Sequence, residues 1–125
     1  MTESNKSENQ PAILVVEDEA MLLMIVAETL LDAGYAVWEA ENGERALSIL
    51  GTKPEIDLLI TDIRMPGIDG YQVADRGLTM RPGLKVLLMT GYAQEPLPSK
   101  HAGIPILYKP FDINKLPVIV DQMLN

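Results

Sequence analysis

LLITDIRMPGIDG, residues 58 to 70, carries an apolar run into a charge and then into a loop. With Ile56, the residues Leu58, Leu59 and Ile60 make a short strand over Ile56 to Asp62. Its apolar residues are nearly continuous rather than alternating, which marks a strand covered on both faces, as in a parallel sheet. Asp62 ends the strand, and Pro66, Gly67 and Gly70 then break the chain into a loop. A buried strand that stops on a carboxylate makes sense where the strand delivers that carboxylate to a site at its end.

The pattern repeats on both sides. Ala12 to Glu17 (AILVVE) reads as a first strand, and Glu19 to Ala33 has helical spacing and stops at Gly34. Tyr35 to Ala40 reads as a strand, and Asn42 to Leu50 as a helix entered by Asn42-Gly43 and stopped by Gly51. After the quoted stretch, Gly70 to Arg81 reads as a helix weakened by Gly77 and ended by Pro82-Gly83, with a strand from Leu84 to Thr90. Pro96 and Pro98 fall where the next helix belongs, and a proline inside a helix costs roughly 3 kcal/mol, so residues 91 to 103 predict a short or irregular helix. Ile104 to Tyr108 is a fifth strand, and Asp112 caps a last helix to about Leu124 whose first turn Pro117 disturbs. Strand then helix, five times over, predicts an α/β doubly wound five-stranded parallel sheet with five helices. Residues 1 to 10 read as a polar, flexible tail and 11 to 125 as a single domain.

Composition narrows the function classes. The 125 residues are 47% hydrophobic and 22% charged, an ordinary globular balance. There is no cysteine, which excludes disulfides and thiolate zinc and fits a reducing compartment. His101 is the single histidine and reads as a solvated loop residue. A net charge of −8 lacks the basic footprint of a nucleic-acid binder. The longest apolar run, Ala20 to Ala27, is too short to span a bilayer, and the polar start carries no export signal, so a cytoplasmic protein is expected.

Chemistry collects at the C-terminal ends of the strands. Glu17, Asp18 and Glu19 follow the first, Asp62 the third, Thr90 and Gly91 the fourth, and Lys109 with Pro110 the fifth. Open parallel sheets bind ligands along that edge, where the winding direction switches. Glu17, Asp18 and Asp62 repel one another unless a cation joins them, and hard oxygen ligands suit magnesium. A carboxylate can also serve as a nucleophile and become an acyl phosphate. Lys109 and Thr90 can then meet phosphoryl oxygens. Taken singly, each residue has a bland reading as a cap or turn; the informative feature is all of them on the right strand ends.

VVEDE, TDIRMPGIDG, MTGYA and YKPF, in this order and spacing from about Ala12 to Leu124, resemble the receiver domain of two-component response regulators, in its single-domain, chemotaxis-regulator-like form. The resemblance implies a flavodoxin-like sheet in the order 2-1-3-4-5. It implies Asp62 as phospho-acceptor, with Thr90 and Lys109 binding the phosphoryl group. Asp18, Asp62, Glu17 through water and the main-chain carbonyl of Arg64 would hold Mg2+, or Mn2+ in its place. The Lys109-Pro110 bond would be cis. The implied partners are a histidine kinase or histidine phosphotransfer protein and an unidentified downstream protein, with no nucleic acid and no membrane; a homodimer stays open. The implied activity is that of a signalling switch rather than an enzyme, one that assists its own phosphorylation and dephosphorylation. Arg64 and Tyr92, two after Asp62 and Thr90, stand where the family tunes phosphate lifetime.

Two departures stand out. Receivers commonly place an aromatic three residues before the lysine, where Ile106 stands here; Tyr92 or Tyr108 is a candidate substitute. The prolines at 96 and 98 fall in the element the family often uses for output. A pseudo-receiver, acting as a constitutive interaction module, is the alternative. A haloacid-dehalogenase-type phosphatase would want a second Asp where Arg64 stands, and a flavin carrier would not place EDE at its phosphate loop. In the first helix, Leu22, Ile25, Val26, Leu30 and Ala33 read as a core stripe. Met24, Ala27 and Leu31 read either as scattered surface residues or as a docking stripe for a histidine-bearing partner.

Overall fold

The structure is a computed structural model and describes residues 10–53, 55–91, 101 and 103–125. Its elements alternate as β1 (Ala12–Val16), α1 (Ala20–Asp32), β2 (Ala36–Ala40), α2 (Gly43–Thr52), β3 (Ile56–Asp62), α3 (Gly70–Met80), β4 (Lys85–Thr90), β5 (Ile106–Tyr108) and α4 (Leu116–Leu124). All strand pairs are parallel, in the order β2-β1-β3-β4-β5. The winding therefore reverses between β1 and β3, at the sheet centre. The helix expected between β4 and β5, with Tyr92, Pro96 and Pro98, lies outside the described residues, as do residues 1–9 of the expected tail.

Every residue of β1 is buried, as its uninterrupted apolar run requires. Alternate residues face opposite layers. Leu14, Trp38 and Leu59 pack with Ala46, Ile49 and Leu50 of α2 and Val73 and Ala74 of α3. Ile13, Val37, Ile60 and Met89 pack with Leu23, Val26 and Leu30 of α1 and Leu116 and Val120 of α4. Among the described residues, no helix is long and apolar enough to cross a membrane.

Local chemistry sets the helix ends. The Asn42 side chain accepts from Arg45 N at 2.8 Å and caps α2. That helix runs past Gly51 to Thr52; Lys53, restricted by the proline that follows it, is what leaves the helical region. Asp69 and Gln72 form a reciprocal capping box that starts α3. Gly77 has a packing role beside its helix cost: a Cβ there would come within 2.9 Å of Leu84 Cδ2, so its bareness lets the Leu84 side chain pack close to α3. Asp112 caps a 3-10 turn at Ile113–Lys115, and α4 begins after it with Pro117 in its first turn, where no backbone donor is needed.

The expected face of α1 needs correction. Leu23, Val26, Ala27 and Leu30 are buried, whereas Ile25 and Ala33 are exposed and Leu22 is half-buried. The helix is apolar on nearly every side, so spacing alone does not choose the inward face. Of the second stripe, Ala27 is core and Leu31 packs against the core, while Met24 remains 49% exposed, beside Met21 at 66%. His101 is corrected too: it is 2% exposed rather than solvated.

Candidate functional site

Strand register brings the polar strand ends to one edge. Val16 pairs with Ala40 on one side and Thr61 on the other, Asp62 with Met89, and Thr90 with Tyr108. Backbone bonds continue past the strands and fix the tips: Glu17 N donates to Ala40 O at 3.1 Å, Ile63 N to Met89 O at 2.9 Å, and Lys109 N to Thr90 O at 2.8 Å. Glu17 and Asp62, 1% and 5% exposed, therefore share a buried pocket, with Thr90 buried on the next strand tip.

Lys109 spans that pocket. Its ammonium donates to Glu17 Oε1 at 2.7 Å and lies 3.2 Å from Asp62 Oδ2. The second oxygen of Glu17 accepts from Glu19 N at 3.0 Å. Asp18 stays exposed, yet one oxygen from each of Glu17, Asp18 and Asp62 lies within 4.8 Å of the other two. A single ammonium cannot balance three carboxylates at that spacing. Hard oxygen donors in this arrangement fit a divalent cation such as Mg2+. Arg64 is exposed in the loop after Asp62, which with Asp69 and Tyr71 borders a cavity of about 540 Å³. The Lys109-Pro110 bond is cis.

Protonation follows from burial. Desolvation pushes the Glu17 carboxyl up, against the Lys109 hydrogen bond, and Asp62 adds to the rise. Desolvation likewise raises Asp62, Lys109 opposes it, and Asp18 adds to it. For Lys109 burial acts against the charge, but the Glu17 hydrogen bond and Asp62 outweigh it and the net shift is upward. A carboxyl raised in the folded state stabilises fully below its unfolded value, 3.8 for Asp62 and 4.5 for Glu17, and less as pH climbs through its folded value. The Lys109 contribution persists through neutral pH and is lost only above 10.5. In chelator, the melting temperature of Asp62→Asn should therefore gain on wild type as pH rises above 3.8 toward neutrality. Scanning calorimetry across that range checks this, and a constant gap would contradict it.

Residues 13–121 match the family model of the response regulator receiver domain. The chain belongs to that family. As a receiver it is 32% identical over 115 residues to sporulation initiation phosphotransferase F of Bacillus subtilis, covering 90% of this chain and 92% of that one. It is 36% identical over 115 residues to the response regulator receiver protein CpdR of Brucella abortus, covering 90% and 95%. Among solved structures it is similar to the response regulator protein TrrA of Thermotoga maritima in complex with Mg2+ and BeF, at 33% identity and a TM-score of 0.83, covering 92% of this receiver and 100% of that chain. Receivers are the switch domains of two-component signalling, and this one has their sheet order.

The sequence named Glu17, Asp18, Asp62, Thr90, Lys109 and Arg64, and all six lie on the strand-end edge or the loop leaving it. It missed the Glu19 amide that holds Glu17, since nothing in EDE says which backbone donor a side chain meets. Ile106 is half-buried and packs against the α2–α3 side of the core, and Tyr108 is exposed.

Proposed function

We propose that this receiver takes a phosphoryl group from a phosphohistidine onto Asp62 and changes its partner binding in consequence. The observation that carries the reading is the Lys109 ammonium between Glu17 and Asp62, with Asp18 in the same cluster. An Asp62 carboxylate oxygen attacks phosphorus; the P–O bond forms as the P–N bond to imidazole breaks, and the imidazole leaves and takes a proton. Lys109 turns from the carboxylates to a phosphoryl oxygen, and Thr90 donates its hydroxyl to another. Water attack at phosphorus later returns the carboxylate and releases inorganic phosphate. Asp18, Asp62, Glu17 through water and the Arg64 carbonyl would hold Mg2+ or Mn2+, which would neutralise charge on the transferring group. The tail of residues 1–10 and the domain of 11–125 belong to the same proposal, as does a cytoplasmic setting. Ile106 favours one second reading, a pseudo-receiver that binds partners constitutively, because it lacks a ring to rotate.

The partner side is proposed on α1. Met21 and Met24 stand exposed near an apolar groove lined by Leu22, Ile25, Lys109, Pro110 and Phe111, which reaches the site lysine. A histidine-bearing helix seated there would present its phosphoryl group toward Asp62. Met21→Glu with Met24→Glu should slow phosphotransfer from the histidine donor at least tenfold, or about 1.4 kcal/mol, and spare labelling by acetyl phosphate. Equal loss with both donors, or with neither, would overturn the docking role. Labelling of wild type that survives a chelator would overturn the cation's part.

A further inference from the structure

The single histidine of the chain occupies a seat that the proposed chemistry leaves unused. His101 lies upstream of β5, opposite α3. Its Nε2 is 2.8 Å from Asp75 Oδ1, in the second turn of that helix, and its ring stacks on Tyr71 with centroids 4.6 Å apart and planes at 35°. The imidazole is buried, yet Nδ1 has no partner among the described residues. Whether Nδ1 carries a lone pair or a proton, that atom has exchanged water for nothing, and a buried unsatisfied polar group marks stored strain. Among the described residues the ring's contacts are thus the Nε2–Asp75 hydrogen bond and the tilted Tyr71 ring, and against them stands the unsatisfied Nδ1.

Tyr71 links this seat to the phosphorylation edge. It belongs to the first turn of α3, stacks on His101, and borders the cavity whose other walls are Ile63, Arg64, Met65, Pro66, Gly67 and Asp69. Those residues form the loop that leaves Asp62 and carries the Arg64 carbonyl. Any rearrangement of the loop around a loaded Asp62 alters one wall of the cavity while Tyr71 forms another. Ile106 packs in the same core layer as Tyr71 and Ile104, but offers no ring to change places.

We infer that His101 is the switching ring of this receiver: its imidazole, seated between Asp75 and Tyr71 in the resting protein, leaves that seat when Asp62 is loaded. The inference deepens the receiver reading and rests on it. Loading changes the Asp62 loop, the loop moves against Tyr71, and Tyr71 loosens the stacked imidazole. Withdrawal removes the imidazole's contacts with Asp75 and Tyr71 and releases the chain entering β5 from α3. The signal then leaves the site along α3, a different route from rotation of an aromatic at position 106. A two-state element responds in this way only if loading favours one state, and the orphaned Nδ1 makes the seated state the one poised to yield.

Because the histidine is unique, its Cε1–Hε1 cross-peak in a carbon–proton NMR spectrum needs no assignment. The full chain is titrated with beryllofluoride and magnesium, with the Ile63 amide as the monitor of loading. The imidazole peak should move by more than its linewidth as the Ile63 amide moves, and Asp75→Asn should shift the unloaded peak toward the loaded position. In Tyr71→Leu the Ile63 amide should still respond, and the imidazole should no longer follow. An Ile63 response with a stationary imidazole overturns the inference and leaves the receiver reading intact. No response from Ile63 overturns the receiver reading, and the inference with it.

Discussion

Asp62→Asn abolishes phosphate uptake. Incubated with acetyl phosphate and magnesium, the wild-type chain should gain the mass of one phosphate, and the variant should gain none. The amide is the same size as the carboxylate, so the strand end and its backbone bond from Ile63 to Met89 are retained. What is lost is the nucleophile: an amide oxygen forms no stable acyl phosphate. No neighbour takes over, because Glu17 is held at both oxygens, by Lys109 and by the Glu19 amide, and Asp18 is a solvent-exposed member of the cluster, placed to serve as a cation ligand. The variant should not be less stable in chelator, since burial already raises the Asp62 carboxyl and its charge is a burden on the empty pocket. Intact mass spectrometry at matched incubation times decides the matter. Equal gain by both proteins would place the phosphate elsewhere, and no gain by either would favour the pseudo-receiver.

The residues that made this site legible are those where burial and charge collide. Strand β3 is apolar and buried through Leu58, Leu59 and Ile60 and then runs through Thr61 to a buried charge, so Asp62 announces both where the strand stops and that something there needs a carboxylate. Thr90 ends its strand and Glu17 and Lys109 directly follow theirs, and parallel pairing puts all those ends on one edge. The alternation of strands and helices was readable for a related reason: each strand's continuous apolar run demands cover on both faces. Legibility failed where tertiary context chooses among equivalent options. Helix α1 is apolar around most of its circumference, so its inward face is set by the crossover from β1 to β2, and Leu31 and Ala27 turned out to be packed. The burial of His101 depends on Asp75, 26 residues away, and no local pattern joins them. Gly77 carries the same lesson, since its cost as a helix residue is visible in sequence and the Leu84 side chain it admits is not.

Gly70→Ala should destabilise the fold by about 3 kcal/mol, near the upper end for overpacking, because what the new methyl meets is backbone. A Cβ at Gly70 overlaps the Asp62 carbonyl oxygen and comes within 2.7 Å of Ile63 Cα and 2.9 Å of the Asp62 carbonyl carbon. Neither residue can give way freely. Ile63 N is tied to Met89 O at 2.9 Å, and Ile63 O accepts from Gly70 N at 2.8 Å, which locks the first turn of α3 onto the end of β3. Relief requires the helix start to move outward and that second bond to stretch. The comparison is Gly51→Ala, in the last turn of α2, where an added Cβ meets nothing within 4 Å. Reduced unfolded-chain entropy should make Gly51→Ala more stable by about 0.5 kcal/mol. Urea denaturation of the two variants should therefore give shifts of opposite sign and unequal size, and a Gly70→Ala midpoint indistinguishable from wild type would refute the account. Because the clash falls on the backbone of Asp62 itself, the folded fraction of Gly70→Ala should also accept phosphate from acetyl phosphate more slowly than wild type. A variant that merely unfolds more often would lose only the labelling expected from its unfolded fraction, so rate per folded molecule separates displacement of the acceptor from loss of the fold.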